Sequence, residues 1–480
     1  MADNKMVKNT FEFINSIFNN VHYNDFSTPF NGKNIVLSKV SNRLVLSCDI
    51  ELNKSFNELY CRQRFGLIIS NSSFQLQIPN GESYFDSPLN IGQPTQHMDL
   101  RLKSCYSLST DWDVPQILRV VIPIDRENWI DDIHSFVYNE GQGWRLGLLK
   151  LILNDILFHI YPYKYADQEY LIIENYQKVL KRDIMNMVFS ICVGIGFFTN
   201  TIWLGENTIV AYENDEFRNP IGVWYETLRP SIKGGYSVFS TNLHSIVDSL
   251  KMNKNTKYAS DFLVENGFIS GKIDRLQPDF IDRWVNLIHN NDSLKRSVVL
   301  LIEASNYPLE FQVPMYCVAL ETLTGIVMKD ENKTTSTPVP TKIFNQAILP
   351  SLINSLECEA QKEGLSEDGI EILRRKLKSL NQPTNATKLS LPFDTLQYSL
   401  TKEEMEAVKN RNRFLHGSLF GLEDDKIEFD KLINTAIRLH KLCCILLLKL
   451  SQFENYMLNN PVLWGFEEEC RRGDHPIIEI

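Results

Sequence analysis

Residues 409–421 read KNRNRFLHGSLFG and place Arg411, Asn412, Arg413 and His416 within six positions, just ahead of Gly417. On a helix over 402–416, Asn412 and His416 are four apart and share one line, and Arg413 and His416 are three apart and adjacent. Arg411 is five from His416, about 140° around the axis, yet its side chain is long enough to meet a shared ligand. Met405, Val408, Phe414 and Leu415 supply apolar anchoring. Gly417 suits the position just past the helix, which puts His416 in the last turn, where the helix dipole favours the imidazolium. A histidine that titrates near neutrality, beside a guanidinium and an amide, suits proton transfer at a phosphodiester.

Such side chains need a rigid mount, and helical patterns dominate after about Ser293. Thr401 is the expected N-cap of the helix carrying them, with Glu404 three places on, as in a capping box. Ahead of it, PMYCVALETLTGIVMK reads as a helix from Pro314 with Val318, Leu320, Leu323 and Val327 turned inward and the polar Glu321 on it. DENKTTSTPVPT reads as a mobile loop. KIFNQAILPSLINSLECEAQKEG, kinked at Pro350, and EDGIEILRRKLKSLNQ follow, and DKIEFDKLINTAIRLHKLCCILLLKLSQFENYML closes the chain as a long helix. Four or more one-faced helices predict a bundle.

The earlier chain is different. NIVLSKV, RLVLSCDIEL, FGLIIS, SFQLQI and ILRVVIPI read as strands; Phe74, Leu76 and Ile78 alternate onto one face, and Pro123 favours a sheet edge or strand end. DDIHSFVYNEGQGW reads as a short helix and loop before the apolar run LGLLKLILNDILFHI. YLIIENYQKVLKRDIMNMVFSICVGIGF has helical spacing, and NTIWLGENTIVAYE suggests a hairpin turning at Gly205–Asn207. The expected fold class is therefore α+β: a β-rich α+β N-terminal region over 1–295, in one or two units, then an all-α helical bundle over 296–480.

Arg411-Asn412-x-x-x-His416 followed by Gly417, late in a helical domain, resembles the R-(polar)-x-x-x-H signature of HEPN ribonucleases. The order of helices over roughly 300–460 is also similar. An α+β region ahead of such a domain resembles the ApeA-type anti-phage defence proteins. The resemblance implies a C-terminal HEPN bundle and an endoribonuclease that needs no metal and no cofactor. It implies an RNA substrate and a homodimer or larger homo-oligomer paired through the HEPN domain. It also implies abortive-infection defence in a bacterium, set off by a phage-derived trigger. On this resemblance Arg411, Asn412 and His416 are the catalytic residues and Arg413 steers the RNA backbone. A non-catalytic HEPN scaffold that dimerises or binds RNA or a partner is the alternative.

Bulk properties bound these expectations. The 480 residues carry a formal net charge of −10, so attraction to nucleic acid must come from a local basic patch. Nine scattered cysteines without a CxxC suit a reducing cytoplasm. The N-terminus has no secretory pattern. The uncharged stretch between Asp183 and Glu206 is broken by polar residues and glycines and reads as a buried helix running into a strand, with no membrane partner. Other features have ordinary explanations. GIGFFT lacks the third glycine of a nucleotide loop, Asp155 and His159 read as a helical pair, and His440 as a packed or exposed helix residue. Arg374, Arg375, Lys376 and Lys378 read as a solvated face, with RNA-backbone contact as the minority alternative.

Overall fold

The computed structural model describes residues 4–27, 32–40, 42–51, 66–85, 95–125, 131–139, 144–227, 229–242, 273–330, 337–382, 384–415 and 425–480. The chain is mixed α+β, with a β-rich N-terminal half and a helical C-terminal half. It divides into two compact units, residues 1–306 with 453–480, and residues 307–452. The compositional boundary at 295/296 falls inside the helix Asp292–Ala304.

The first unit opens with α1 (Asn4–Phe18) and then β1 (Val21–Tyr23), β2 (Asp25–Ser27), β3 (Gly32–Val40), β4 (Arg43–Glu51), β5 (Leu67–Ser70), β6 (Gln75–Ile78) and β7 (Ser83–Phe85). It continues with β8 (Thr95–Leu102), β9 (Ser104–Ser107), β10 (Ile117–Ile124), β11 (Phe136–Asn139), β12 (Trp144–Leu153), β13 (Ile156–Tyr165) and β14 (Gln168–Asn175). After α2 (Lys181–Thr199) come β15 (Thr201–Ile202), β16 (Glu206–Tyr212), β17 (Pro220–Thr227), β18 (Ile232–Lys233), α3 (Pro278–His289) and α4 (Asp292–Ala304); β19 (Tyr456–Leu458) and β20 (Ile477–Glu479) return to this unit. One sheet runs β1-β3-β4-β8-β7 and a larger one β11-β12-β13-β14-β10-β16-β17-β9-β6-β5-β2. Phe11, Ile14, Ile17 and Phe18 of α1 share one buried cluster with Leu37 and Leu46 of the first sheet and Val121, Ile172 and Tyr225 of the second.

The alternation Phe74–Leu76–Ile78 holds: Leu76 and Ile78 are wholly buried and Phe74 packs against the core. Other sequence expectations fail for physical reasons. The described residues of DDIHSFVYNEGQGW form no helix; they supply β11 and the start of β12. Asn154 and Asp155 both take left-handed backbone, φ 48° and 62°, so the apolar run folds as a two-residue hairpin between β12 and β13. Asp155 therefore sits in a turn and His159 on a strand, and they are not a helical pair. YLIIEN is β14 rather than helix, because its strand is buried on both faces and shows no alternation. NTIWLGENTIVAYE is no hairpin: β15 pairs with β18, while β16 lies between β10 and β17. Pro123 does lie near a strand end as expected: it is the penultimate residue of the central strand β10, beyond the reach of β16, whose pairing ends at Val121, so its missing N–H removes no bond on that side.

α2 is a buried helix running into β15, with Ile184 to Thr199 almost wholly inside. Among the described residues two helices, Lys181–Thr199 and Leu309–Lys329, are long and apolar enough to cross a membrane. The glycines of GIGFFT serve close packing. A Cβ on Gly194 would stand 2.8 Å from Val285 Cγ2, and the Gly194 carbonyl accepts the Trp284 indole N–H at 2.9 Å.

The second unit contains α5 (Leu309–Asp330), α6 (Leu349–Lys362), α7 (Glu367–Ser379), α8 (Asn385–Thr395), α9 (Lys402–Leu415) and α10 (Asp425–Leu450). α5 begins five residues before Pro314, which lies inside it, and Val318 is 42% exposed, whereas Leu320, Leu323 and Val327 are buried as expected. Ahead of Pro350 the chain takes a π-helical turn, Phe344–Ile348, in which the Leu349 N–H reaches back to the Phe344 carbonyl. The widened turn accommodates the proline where a kink was expected. In the expected loop, residues 331–336 lie outside the described residues, and Val339 beyond them is pinned: Asn381 accepts its N–H and donates to its carbonyl, both at 2.8 Å. α10 stops at Leu450, and YML belongs to β19 rather than to the terminal helix.

Candidate functional site

The motif helix α9 starts as its sequence dictates. The Thr401 N–H donates to Glu404 Oε2 at 2.9 Å, and the Glu404 N–H donates to Thr401 Oγ1 at 3.2 Å. This reciprocal pair satisfies two donors at the start of the helix. Glu404 does more than cap: Oε1 also accepts Tyr398 OH at 3.0 Å and lies 2.7 Å from Lys441 Nζ on α10. Glu404 and Lys441 are both buried, so this ion pair ties α9 to α10 inside the helical unit. α9 also packs against α5, burying Ala407 and Val408.

Helical geometry carries that face toward the motif. Arg411 stands seven residues past Glu404 and four past Ala407, within about 20° of the line through Glu404. Asn412 stands four past Val408. Around the axis Arg411 thus follows the line of Glu404, and Asn412 lies about 40° from Val408. Arg413, nine residues past Glu404, falls on the opposite side of the helix. The backbone of residues 411–415 is helical, their side chains lie outside what the structure describes, and His416 and Gly417 lie outside the described residues altogether.

The secondary candidates separate clearly. His440 is buried on α10 beside the Tyr316 ring, with centroids 5.5 Å apart and Cys444 Sγ 3.8 Å away; burial lowers its pKa to about 4, so it is a neutral core side chain at pH 7. Glu321 is exposed on α5. Arg374 is held by Glu357 at 2.9 Å and by Glu371 at 3.5 Å, and Arg375 meets Glu371 at 3.4 Å. The charge of these two arginines on α7 is thus largely matched locally. Among the described residues no group of three or more His, Cys, Asp or Glu side chains gathers as a metal site.

Two buried polar groupings escaped the sequence reading. Lys441 is the first, and a lone lysine inside the apolar run LHKLCCILLL was its signal. The second lies in the β-rich unit. Arg119 of β10 donates to Glu174 Oε1 from Nε at 2.8 Å and Nη2 at 2.5 Å, with the two side chains 1% and 0% exposed. Arg119 Nη1 also reaches the Met6 carbonyl and Tyr212 OH, each at 3.2 Å, and Thr10, which joins α1 to the sheet. Tyr161 OH donates to Glu174 Oε1 at 2.5 Å and Tyr176 OH to Oε2 at 3.0 Å; His159 Nδ1 lies 2.8 Å from Tyr176 OH. Burial would lower the Arg119 pKa, but the adjacent Glu174 carboxylate carries it above its usual value. Burial lowers the pKa of His159. A charge inside each apolar strand, in ILRVVIPI and YLIIEN, was the only advance sign. No family model, curated protein or solved structure matches the chain.

Proposed function

We propose that the chain is a metal-independent endoribonuclease of the HEPN class acting in bacterial anti-phage, abortive-infection defence in the cytoplasm. The observation that supports this reading is the helical backbone of α9 through Leu415, which sets Arg411 within about 20° of Glu404 and Asn412 within about 40° of Val408 around the axis.

In the proposed reaction the RNA 2′-oxygen attacks the adjacent phosphorus, the 2′-proton passes to a base, and the 5′-oxygen leaves with a proton from an acid. His416 acts as one proton-transfer group, and a second chain contributes the other. Arg411 holds the phosphorane oxygens with its forked guanidinium, Asn412 orients the imidazole or the phosphate, and Arg413 guides the RNA backbone. The products carry 2′,3′-cyclic phosphate and 5′-hydroxyl ends. Pairing of two chains is supported by apolar side chains exposed on the helical unit: Phe311 at 61%, Ile372 at 54% and Leu380 at 58%. The β-rich unit is the proposed receiver of a phage-derived trigger.

The test is RNA cleavage by wild type and His416→Ala in one buffer containing a chelator, with end-group analysis. Cyclic-phosphate ends from wild type alone support the reading. Equal cutting by both proteins removes His416 from the mechanism, and RNA binding without cutting by either favours a scaffold.

A further inference from the structure

The β-rich unit contains a cleft of about 680 Å³ where the two larger sheets meet at one end. That size suits a small metabolite. Its charge is at odds with the chain as a whole. Arg43, Arg101, Lys103 and Arg229 line it against Asp125 and Glu206, an excess of two cations (four less two) in a protein of net charge −10. The ion pairs of Arg43 and Arg229 leave donors in hand. Arg43 meets Glu206 through Nε at 3.3 Å, so the bond does not occupy its terminal nitrogens. Arg229 uses Nη2 on Glu303 at 2.7 Å, leaving the rest of its fork.

The strand register groups the cations with an aromatic ring. Tyr84 of β7 pairs directly with Arg101 of β8, so both side chains leave the same face of the smaller sheet. Lys103, two residues on, lies with Nζ 5.9 Å from the Tyr84 ring centroid, and Tyr84 is 42% exposed. Tyr225, which also lines the cleft, accepts the Leu44 N–H through its OH and lies 3.2 Å from Thr227 Oγ1, which joins strands of the two sheets there. Paired guanidinium and ammonium groups around an exposed ring offer both halves of a ligand that is anionic at one end and planar at the other.

We propose that this cleft binds a small phosphorylated ligand with a planar ring, of the mononucleotide class, its phosphate on Arg43, Arg101 and Lys103 and its ring against Tyr84. Because the ligand touches both sheets, it stabilises the folded state by binding only that state.

The experiment is calorimetric titration and thermal unfolding of the full chain with AMP, GMP, CMP and UMP, the matching nucleosides and inorganic phosphate. At least one nucleotide is expected to bind and raise the unfolding temperature, with its nucleoside and free phosphate each at least about tenfold weaker. Arg101→Ala/Lys103→Ala is expected to weaken binding by about a hundredfold, and Tyr84→Ala by about tenfold, with the unfolding temperature of the unliganded protein retained. The single variant Lys103→Ala, at an exposed position, provides the same readout should the double variant fail to fold. No nucleotide binding at about 1 mM overturns the proposal, as does nucleoside or phosphate binding equal to the nucleotide's, or unchanged affinity in the folded variants.

Discussion

Lys441 Nζ of α10 lies 2.7 Å from Glu404 Oε1 of α9, with only 4% and 1% of the two side chains exposed. The same carboxylate closes the capping box with Thr401 and accepts Tyr398 OH. One side chain thus sets where the motif helix begins and which helix it lies against. Taking two charges out of water is costly, and removing one alone leaves the other buried without its partner. Glu404→Gln is therefore expected to destabilise the helical unit by about 3–5 kcal/mol in urea unfolding. Glu404→Gln/Lys441→Met should cost clearly less than the sum of the two single changes. Additive losses would mean that the pair is not coupled.

The Arg119–Glu174 pair makes a matching prediction for the β-rich unit. Arg119→Met leaves Glu174 buried and charged, with the phenols of Tyr161 and Tyr176 as its remaining donors. A loss of about 3–5 kcal/mol is expected. Because Arg119 also holds Met6 and Thr10, amide exchange should accelerate first in α1. Slow exchange throughout α1 in that variant would contradict its role as an anchor.

His440 gives the helical unit a pH dependence of defined sign. Its folded pKa is about 4 against the ordinary 6.5, so the unfolded chain binds a proton that the folded chain excludes. The contribution is complete above about pH 6.5, shrinks as pH falls and is exhausted below about pH 4, for a total of about 3 kcal/mol. His440→Phe, which keeps a ring beside Tyr316, should flatten the stability profile between those limits relative to wild type. Parallel profiles would show that His440 does not carry the effect.

Gly194 is placed so that α3 can approach α2. Adding a methyl there meets Val285 Cγ2 at 2.8 Å and the Trp284 ring at 3.5 Å. Gly194→Ala is expected to cost about 1–3 kcal/mol despite its better helix propensity. Trp284 fluorescence should shift to the red as the indole loses its packing. A stabilised variant with unchanged emission would refute the close approach as the reason for glycine.

Local chemistry was legible wherever a short run of residues carries its own geometry. Thr401-x-x-Glu404 announced the start of α9, Phe74–Leu76–Ile78 announced a half-buried strand, and the apolar stretch after Asp183 announced a buried helix. The spacing of Arg411 and Asn412 likewise set their relation around the helix axis. Elements buried on every side were misread, β14 among them, because burial on both faces erases the periodicity by which strand and helix are told apart. Partners remote along the chain were invisible. Nothing near Glu404 points to Lys441, and nothing near Arg119 points to Glu174 or to Thr10. Tyr84 and Arg101 share a face only because β7 and β8 pair in one register. The amino-acid order determined helix starts, turns and side-chain spacing, since these depend on bonds within a few residues. Tertiary structure alone decided which charges meet inside the protein, because burying a charge is tolerable only when the folded chain brings its counter-charge to the same place.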